Sequence, residues 1–188
     1  KMTEVGVIPE DWEIVRLEEL TTRVGDGIHS TPKYDASGEY HFVNGNNLVE
    51  GKIQVDFDTK KVSFLEYQIH KRELNKSTLL LSINGTIGNI AFYNDEKIVL
   101  GKSAAYININ SKIHRTLLYY IAQNQTTKLY FDNELTGSTI KNLGLSSIRN
   151  TPIPLPTKSE QTAISTALSD ADALIRSLEK LIEKKRAN

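Results

Sequence analysis

The residues able to do chemistry are few and scattered, and the search among them for a catalytic centre is negative. The four histidines, His29, His41, His70 and His114, have no close metal-ligand spacing, and neither a G-x-S-x-G nor an H-E-x-x-H pattern occurs. Aspartates and glutamates form no pairing that sequence marks as an acid/base dyad. The absence of cysteine removes disulfides, thiolate metal sites and thiol nucleophiles together. Gly85-Thr-Ile-Gly88 lacks the spacing of a phosphate-cradling loop and has no helix pattern behind it, so it reads as a hairpin turn. What remains is the chemistry of polar loops. His29, Ser30, Thr31, Lys33 and Tyr34 put donors, acceptors and one aromatic face into a stretch with two glycines and a proline, which is either a binding surface or an ordinary connection. Asn44, Asn46 and Asn47 form turns readily and also have the amide geometry that pairs with an adenine edge, so a structural and a base-reading role both stand. Thr136 to Asn142 is a further polar loop.

The elements that must carry these loops are short. Ile8-Pro-Glu-Asp-Trp12 is a turn, and Trp12, Val15, Leu17 and Leu20 anchor the N-terminal segment to a core. Residues 16–24 read as a short helix, and residues 40–43 as a strand. Alternating Ile53, Val55 and Phe57 predict a half-buried strand between Lys52 and Ser63. A helix is expected from Leu65 to Leu74. Thr78 to Ile83 and Asn89 to Tyr93 should pair as a hairpin about the glycine-rich turn, with further strands at Ile98 to Leu100 and Ala104 to Ile109. His114 to Phe131 reads as one helix, with Leu117, Leu118, Ile121 and Leu129 on one side and Tyr119, Tyr120 and Tyr130 as core bulk.

The end of the chain carries the strongest local pattern. Prolines alternate with Ile153 and Leu155, so Pro152 to Pro156 is extended and cannot be helical. Thr157 and Glu160 form a capping box that starts a helix. Ile164, Leu168, Ala171, Ile175, Leu178 and Ile182 then recur as a heptad seam, flanked by Ala167, Leu174 and Leu181. A helix of about 28 residues rises roughly 42 Å, more than the ~30 Å diameter of a small domain, so part of it should protrude. It either caps its own domain or pairs with a helix from outside the chain. Lys184, Lys185 and Arg186 suit the negative end of the helix dipole without a nucleic acid to explain them.

Composition adds bounds. The chain has 188 residues, 39% of them hydrophobic and 24% charged, ordinary for a soluble globular protein of one core plus an extension. No apolar run reaches the ~20 residues of a membrane span and no signal pattern opens the chain, so a soluble, cytoplasmic protein is expected. Net charge is zero, but residues 1–20 hold two basic and six acidic side chains, leaving 21 basic against 17 acidic elsewhere. Between Lys60 and Lys102 seven basic residues face four acidic ones, a modest excess that a solvated surface also explains.

With Ile8-Pro-Glu-Asp-Trp12, Gly137-Ser-Thr-Ile, Leu145, Ile148 and Pro152-Ile-Pro-Leu-Pro, then Glu160-Gln161, Ile164 and Leu168 on a long helix, the chain resembles the specificity subunit of Type I restriction-modification systems. The resemblance covers essentially the whole chain but only one of that family's two repeats, each a target-recognition domain followed by a helical spacer. A natural or engineered half-subunit, or a fragment of a longer one, would give this sequence. The resemblance implies an α/β fold of α+β type: a mixed target-recognition domain with several short strands and helices over 1–151, then a proline-rich connector and one long coiled-coil helix over 152–188. It implies sequence-specific binding of double-stranded DNA, with no catalysis. Partner methylation and restriction subunits would use S-adenosylmethionine and ATP, and this chain would hold no cofactor and no metal. Asn150-Thr151-Pro152 does not make the methyltransferase motif Asn/Asp-Pro-Pro-aromatic. The expected DNA face combines His29, Ser30, Thr31, Lys33 and Tyr34 with Asn44, Asn46 and Asn47, the turn residues Asn84, Thr86 and Asn89, and Ser138, Thr139, Lys141 and Asn142. Lys33, Lys76, Lys102 and Lys141 would hold phosphates and Asn44, Asn46, Asn47 and Asn84 would meet base edges. The seam would make a homodimer reading two inverted halves. The rival reading is a coiled-coil adaptor whose globular part binds protein; an enzyme ranks third.

Overall fold

A computed structural model of the chain describes residues 1–187. The expected connector and arm, 152–188, thus ends on a residue, Asn188, that lies outside the described residues. The fold is mixed α and β with one long C-terminal helix, as the sequence implies.

The chain opens with two short paired strands, β1 (Met2–Thr3) and β2 (Gly6–Val7), and then β3 (Glu13–Arg16). The helix expected over residues 16–24 is instead a single 3-10 turn, Leu17–Leu20, followed by β4 (Thr21–Asp26). Thr21, Thr22 and Val24 are β-branched, and a partner strand is available, so pairing overrides the local pattern. Then come β5 (Tyr40–Val43), a 3-10 turn at Gly45–Asn47, β6 (Leu48–Val49), β7 (Lys52–Ile53) and β8 (Lys61–Val62). The long strand expected from Lys52 to Ser63 is therefore only its two ends. Val55 and Phe57 are exposed on the loop between them. Asp56 and Thr59 close that loop on each other, the Asp56 N–H donating to Thr59 Oγ1 at 2.8 Å and the Thr59 N–H to the Asp56 carbonyl at 3.1 Å.

Helix α1 (Phe64–His70) is capped by the Ser63 hydroxyl. The expected hairpin is present as β9 (Thr78–Ser82) and β10 (Ile90–Phe92), followed by β11 (Ile98–Leu100) and β12 (Ala104–Ile109). The single helix expected from His114 to Phe131 is two, α2 (Arg115–Gln123) and α3 (Gln125–Asn133). Asn124 between them is extended at φ −62, ψ 145, and its side chain caps the second helix by accepting from the Thr126 N–H. The break turns Leu129 outward. A small hairpin of β13 (Leu135–Thr136) and β14 (Asn142–Leu143), the short helix α4 (Leu145–Arg149), β15 (Pro152–Leu155) and α5 (Lys158–Arg186) complete the chain.

Four strands form the central sheet in the order β10-β9-β12-β4, every neighbour antiparallel. A second sheet, β11-β5-β8, joins β5 and β11 in parallel. Every residue of β9, β11 and β12 is buried, so these stretches are largely apolar, and the buried Thr78 hydroxyl donates to Asn108 Oδ1 at 2.6 Å. The main core gathers Leu20, Leu79, Leu81, Ile107, Leu117, Leu118, Phe131, Leu143, Ile148 and Ile153. The proline-rich segment β15 pairs antiparallel with β3, so the N-terminal segment and the connector to the last helix meet in one ribbon. Proline is tolerated there because the ribbon has only two strands and an outer edge that needs no donor.

Helix α5 leaves this ribbon through the expected capping box, the Thr157 hydroxyl accepting from the Glu160 N–H and the Glu160 carboxylate from the Thr157 N–H at 2.9 Å. Trp12 Nε1 donates to the same carboxylate at 3.2 Å. These bonds to the charged form hold the Glu160 carboxyl below the usual carboxylate range, with the Thr157 hydroxyl the main cause. The first turns of α5 lie on α2 through a polar stripe. Gln161, 2% exposed, accepts from the His114 N–H at 2.8 Å and donates to the carbonyls of Lys112 at 3.1 Å and Pro156 at 3.0 Å. Ser165 is buried beside it, and further along the Tyr120 hydroxyl donates to Asp172 at 2.8 Å. Ile164 is the one seam residue packed on the main core. Leu168, Ala171, Ile175, Leu178 and Ile182 are exposed, as are Leu174 and Leu181.

Candidate nucleic-acid interface

Strand directions decide where the polar loops go. β4, β5, β9 and β11 all end, and β12 begins, at one pole of the body: Asp26 and Ser82 flank Ala105 and Ala104, and Val43 sits beside Leu100. The loops after those strands, at 27–34, 44–47, 83–89 and 101–103, therefore emerge together. The β13-β14 hairpin joins them, because the Leu143 N–H donates to the Ile83 carbonyl at 2.9 Å and Asn84 pairs with Asn142.

These loops cross at backbone distance. The Gly27 N–H donates to the Ala104 carbonyl at 3.1 Å, the Ile28 N–H to the Leu100 carbonyl at 2.8 Å and the Gly101 N–H to the Val43 carbonyl at 2.8 Å. A Cβ on Gly27 would stand 2.2 Å from the Gly101 carbonyl oxygen, and one on Gly101 would stand 2.2 Å from Asn44 Oδ1. A side chain at Gly27 would meet backbone and force the loops apart, whereas one at Gly101 would displace the Asn44 side chain.

The expected site residues divide into three groups. Asn44 and Asn47 are engaged internally: Asn44 Oδ1 accepts from the Ser103 hydroxyl at 3.0 Å, the Asn44 N–H donates to Asn47 Oδ1 at 2.9 Å, and Asn47 Nδ2 donates to the Gln54 carbonyl at 2.9 Å. They shape the loop that presents Asn46, which is exposed. A second group lines one hollow of about 570 Å³ at the pole, where His29, Asn84, Lys102 and Asn142 meet Asp26, over an apolar floor that includes Ile83 and Leu143. Asn84 Nδ2 donates to the Lys102 carbonyl at 3.2 Å and His29 Nε2 pairs with Asp26 at 2.7 Å. Ser30, Thr31, Thr86, Ser138, Thr139 and Lys141, close in sequence to these residues, are exposed, as are Lys33 and Tyr34, although Tyr34 bridges Val62 beside the first residue of β5 rather than its pole end. Lys33 is fixed by its backbone, whose N–H donates to the Glu66 carboxylate at 2.8 Å, and Tyr34 lies edge-on to Phe42. That backbone bond, more than the His70 imidazole at 3.2 Å, holds the Glu66 carboxyl below its ordinary range.

The remaining two, Lys76 and Asn89, do not line this hollow. Lys76 precedes β9 while the 83–89 loop follows it, which puts the two at opposite ends of the strand, and Lys76 pairs with Asp95 at 3.7 Å. Asn89 lines a different hollow with Gly51, Lys128 and Phe131.

One cationic cluster has no local signature in the sequence. Arg23, Arg72 and Arg149, from β4, from the segment after α1 and from the end of α4, line a hollow of about 560 Å³ along the free edge of β4, with Asp26 and Tyr106. Arg72 Nε donates to the Asp26 carbonyl at 3.0 Å and Arg149 Nη2 to the Val24 carbonyl at 2.9 Å, so two of the three cap outward backbone groups of an edge strand. Among the described residues no group of three or more histidine or carboxylate side chains is placed to hold a metal, and no helix is long and apolar enough to cross a membrane.

Comparison with known proteins fits this geometry. The MjaIX specificity subunit of a Type I restriction enzyme from Methanocaldococcus jannaschii is 27% identical over 96% of the chain and 42% of its own length. The putative MjaX specificity subunit from the same organism is 29% identical over 97% of the chain and 44% of its own length. A crystal structure of a Type I restriction-modification S subunit from M. genitalium superimposes with a TM-score of 0.64 at 22% identity, covering 98% of this chain and 46% of that one. A chain solved in a study of assembly and conformational transition of the Type I system gives a TM-score of 0.75 at 19% identity, covering 97% and 43%. The chain thus spans less than half the length of each of these relatives. Residues 9–185 match the family described as the Type I restriction modification DNA specificity domain, and with nearly the whole chain inside that match the protein belongs to this family.

Proposed function

We propose that this chain recognises one half of a two-part site on double-stranded DNA and presents a helix for pairing, leaving catalysis to other subunits. The observation that carries the reading is the convergence of four loops and a hairpin on one pole, with lysines and amides exposed around a hollow. In this reading the residues divide the labour. Lys33, Lys102 and Lys141 are the phosphate contacts, and Asn46, Asn84 and Asn142, with the hydroxyls of Ser30, Thr31, Thr86, Ser138 and Thr139, face the bases. His29 and Tyr34 border them, while Asn44 and Asn47 hold the reading loop in shape. The body, 1–151, recognises; the connector and arm, 152–188, measure.

The arm supports pairing because Leu168, Leu174, Ile175, Leu178, Leu181 and Ile182 lie uncovered along one helix, at a spacing that suits a partner helix. A second copy of this chain would make a symmetric pair that reads inverted halves, and a second repeat would make the same contact within one polypeptide. A helix of 29 residues rises about 44 Å, the span of roughly 13 base pairs, a suitable scale for a ruler between half-sites. In this reading a methylation subunit docks on the assembly and uses S-adenosylmethionine, and a restriction subunit uses ATP.

The test is selection from a pool of random-sequence duplexes by the purified chain at low salt, followed by affinity measurement on the selected site. Enrichment of one motif is expected, and Lys33→Ala should weaken binding to all duplexes while reducing the slope of log K against log salt by about 0.9. No enrichment and no affinity at low salt would leave the adaptor reading, in which the globular part binds protein.

A further inference from the structure

The edge-strand hollow holds more binding capacity than its structural role uses. A guanidinium carries five N–H donors. Arg149 spends one on the Val24 carbonyl, Arg72 spends two on the carbonyls of Asp26 and Gly27, and Arg23 meets Glu73 at 2.7 Å through a single Nη1. Tyr106 adds a hydroxyl. Its side chain is only 3% exposed, and the ring lies across the strand pair on Gly25, where a Cβ would stand 2.6 Å from Tyr106 Oη. Tyr106 lines the hollow with the three arginines, and its hydroxyl lies against the Arg23 guanidinium. Asp26 lines both this hollow and the one at the pole, so the two are neighbours. Its carboxylate is held by His29, and Glu73 is the other anion at the site.

We propose that the Arg23, Arg72, Arg149 and Tyr106 hollow is an anion site that takes one backbone phosphodiester of the DNA whose bases are read at the adjacent pole. The assignment rests on the DNA-recognition reading and extends it to residues with no polar loop around them. Two arginines are already pinned by the β4 carbonyls, so their remaining donors are fixed before the ligand arrives. Arg23 caps no β4 carbonyl and exchanges its Glu73 partner for the phosphate.

The experiment uses the whole chain and the duplex selected from the random pool. Arg23→Gln leaves both backbone caps in place, so its melting temperature should match wild type. Its affinity at moderate salt should fall about five- to ten-fold and its salt slope by about 0.9. Tyr106→Phe should lose two- to five-fold with the slope unchanged. Glu73→Gln should bind two- to five-fold tighter, a gain that a purely edge-capping role for these residues does not give. Wild-type binding with all three variants unchanged would overturn the phosphate site and leave DNA recognition standing. A wild-type chain that binds no duplex at low salt would remove both. Melting in inorganic phosphate against chloride at matched ionic strength provides the other arm. Equal midpoints are expected for a site completed by DNA, whereas a wild-type rise absent from Arg23→Gln, without a DNA effect, would assign the hollow to free phosphate instead.

Discussion

The pole and the arm are opposite solutions to the problem of presenting a surface. The pole draws its residues from five separate stretches, and many of its polar groups are already fastened to one another, as Asn44, Asn47 and Asn84 are. The arm draws everything from one helix, and beyond Ile164 its apolar seam is fastened to nothing: Ile175 is 52% and Leu174 61% exposed. A pole of this kind is rigid before it meets a ligand, because each loop is another loop's hydrogen-bond partner. An arm of this kind is incomplete alone, since an apolar stripe on a protruding helix gains free energy only when a second surface covers it. The junction between the two regions is polar. Gln161, Ser165 and Asp172 seat the helix on α2 and leave the heptad free to face outward.

The sharpest way to break this contrast is at the arm. Leu168→Glu with Ile175→Glu should convert a dimer of twice 21.1 kDa, read by light scattering, into a folded monomer. Removing two seam side chains per copy, at ~1.5–3 kcal/mol each, should raise the dissociation constant by on the order of a thousand-fold or more. A wild-type monomer would mean that the seam waits for a second repeat or another subunit. A fall in the body's own melting temperature would mean that the seam belongs to its own core.

The junction comes next. Gln161→Leu keeps the volume but strands the His114 N–H and the carbonyls of Lys112 and Pro156, so it should cost about 2–3 kcal/mol and lower the melting midpoint by roughly 5–10 °C. At the pole, neighbouring asparagines should behave oppositely. Asn44→Ala breaks the bond from Ser103 and should cost about 1–2 kcal/mol of stability. Asn46→Ala should stay within about 0.5 kcal/mol of wild-type stability and instead weaken the selected duplex by ~1–3 kcal/mol. Equal stability losses would show that Asn46 is structural too.

The smallest effect concerns the bond that fixes Lys33. Glu66 has its folded carboxyl pKa lowered, chiefly by the Lys33 N–H and also by His70. Its contribution is therefore complete above the unfolded value of about 4.3 and is lost as pH falls through the depressed folded value. Melting midpoints of wild type and Glu66→Gln, compared from neutral pH down into that acid window, should converge as it is crossed. A constant gap would assign the Glu66 effect to shape alone.

How much of this was legible follows the range of the interactions involved. The capping box at Thr157 and Glu160, the heptad, the extended prolines and the hairpin about Asn84 to Gly88 were all readable, because each is set by residues within a few positions of one another. The strand at Thr21–Asp26 was misread as helix because its partner, β12, lies far along the chain. Val55 and Phe57 alternate like a buried strand, yet among the described residues no strand pairs with them. At Asn124 the apolar period ran through a break that a side-chain cap made favourable. The heptad's length was clear from sequence, but which face of the helix met the body was not. That choice fell to Gln161 and Asp172, polar residues whose partners lie on and around α2.

By itself, the sequence determined the resemblance to Type I specificity subunits, the long helix with its apolar stripe and the set of polar loops, since composition and short-range spacing suffice for each. The tertiary structure alone decided that those loops share one pole, that Lys76 and Asn89 do not line its hollow, and that Arg23, Arg72 and Arg149 meet at the edge of β4. Strand direction and pairing set those positions, and both are fixed by contacts between residues remote in the chain, which leave no periodic trace in it.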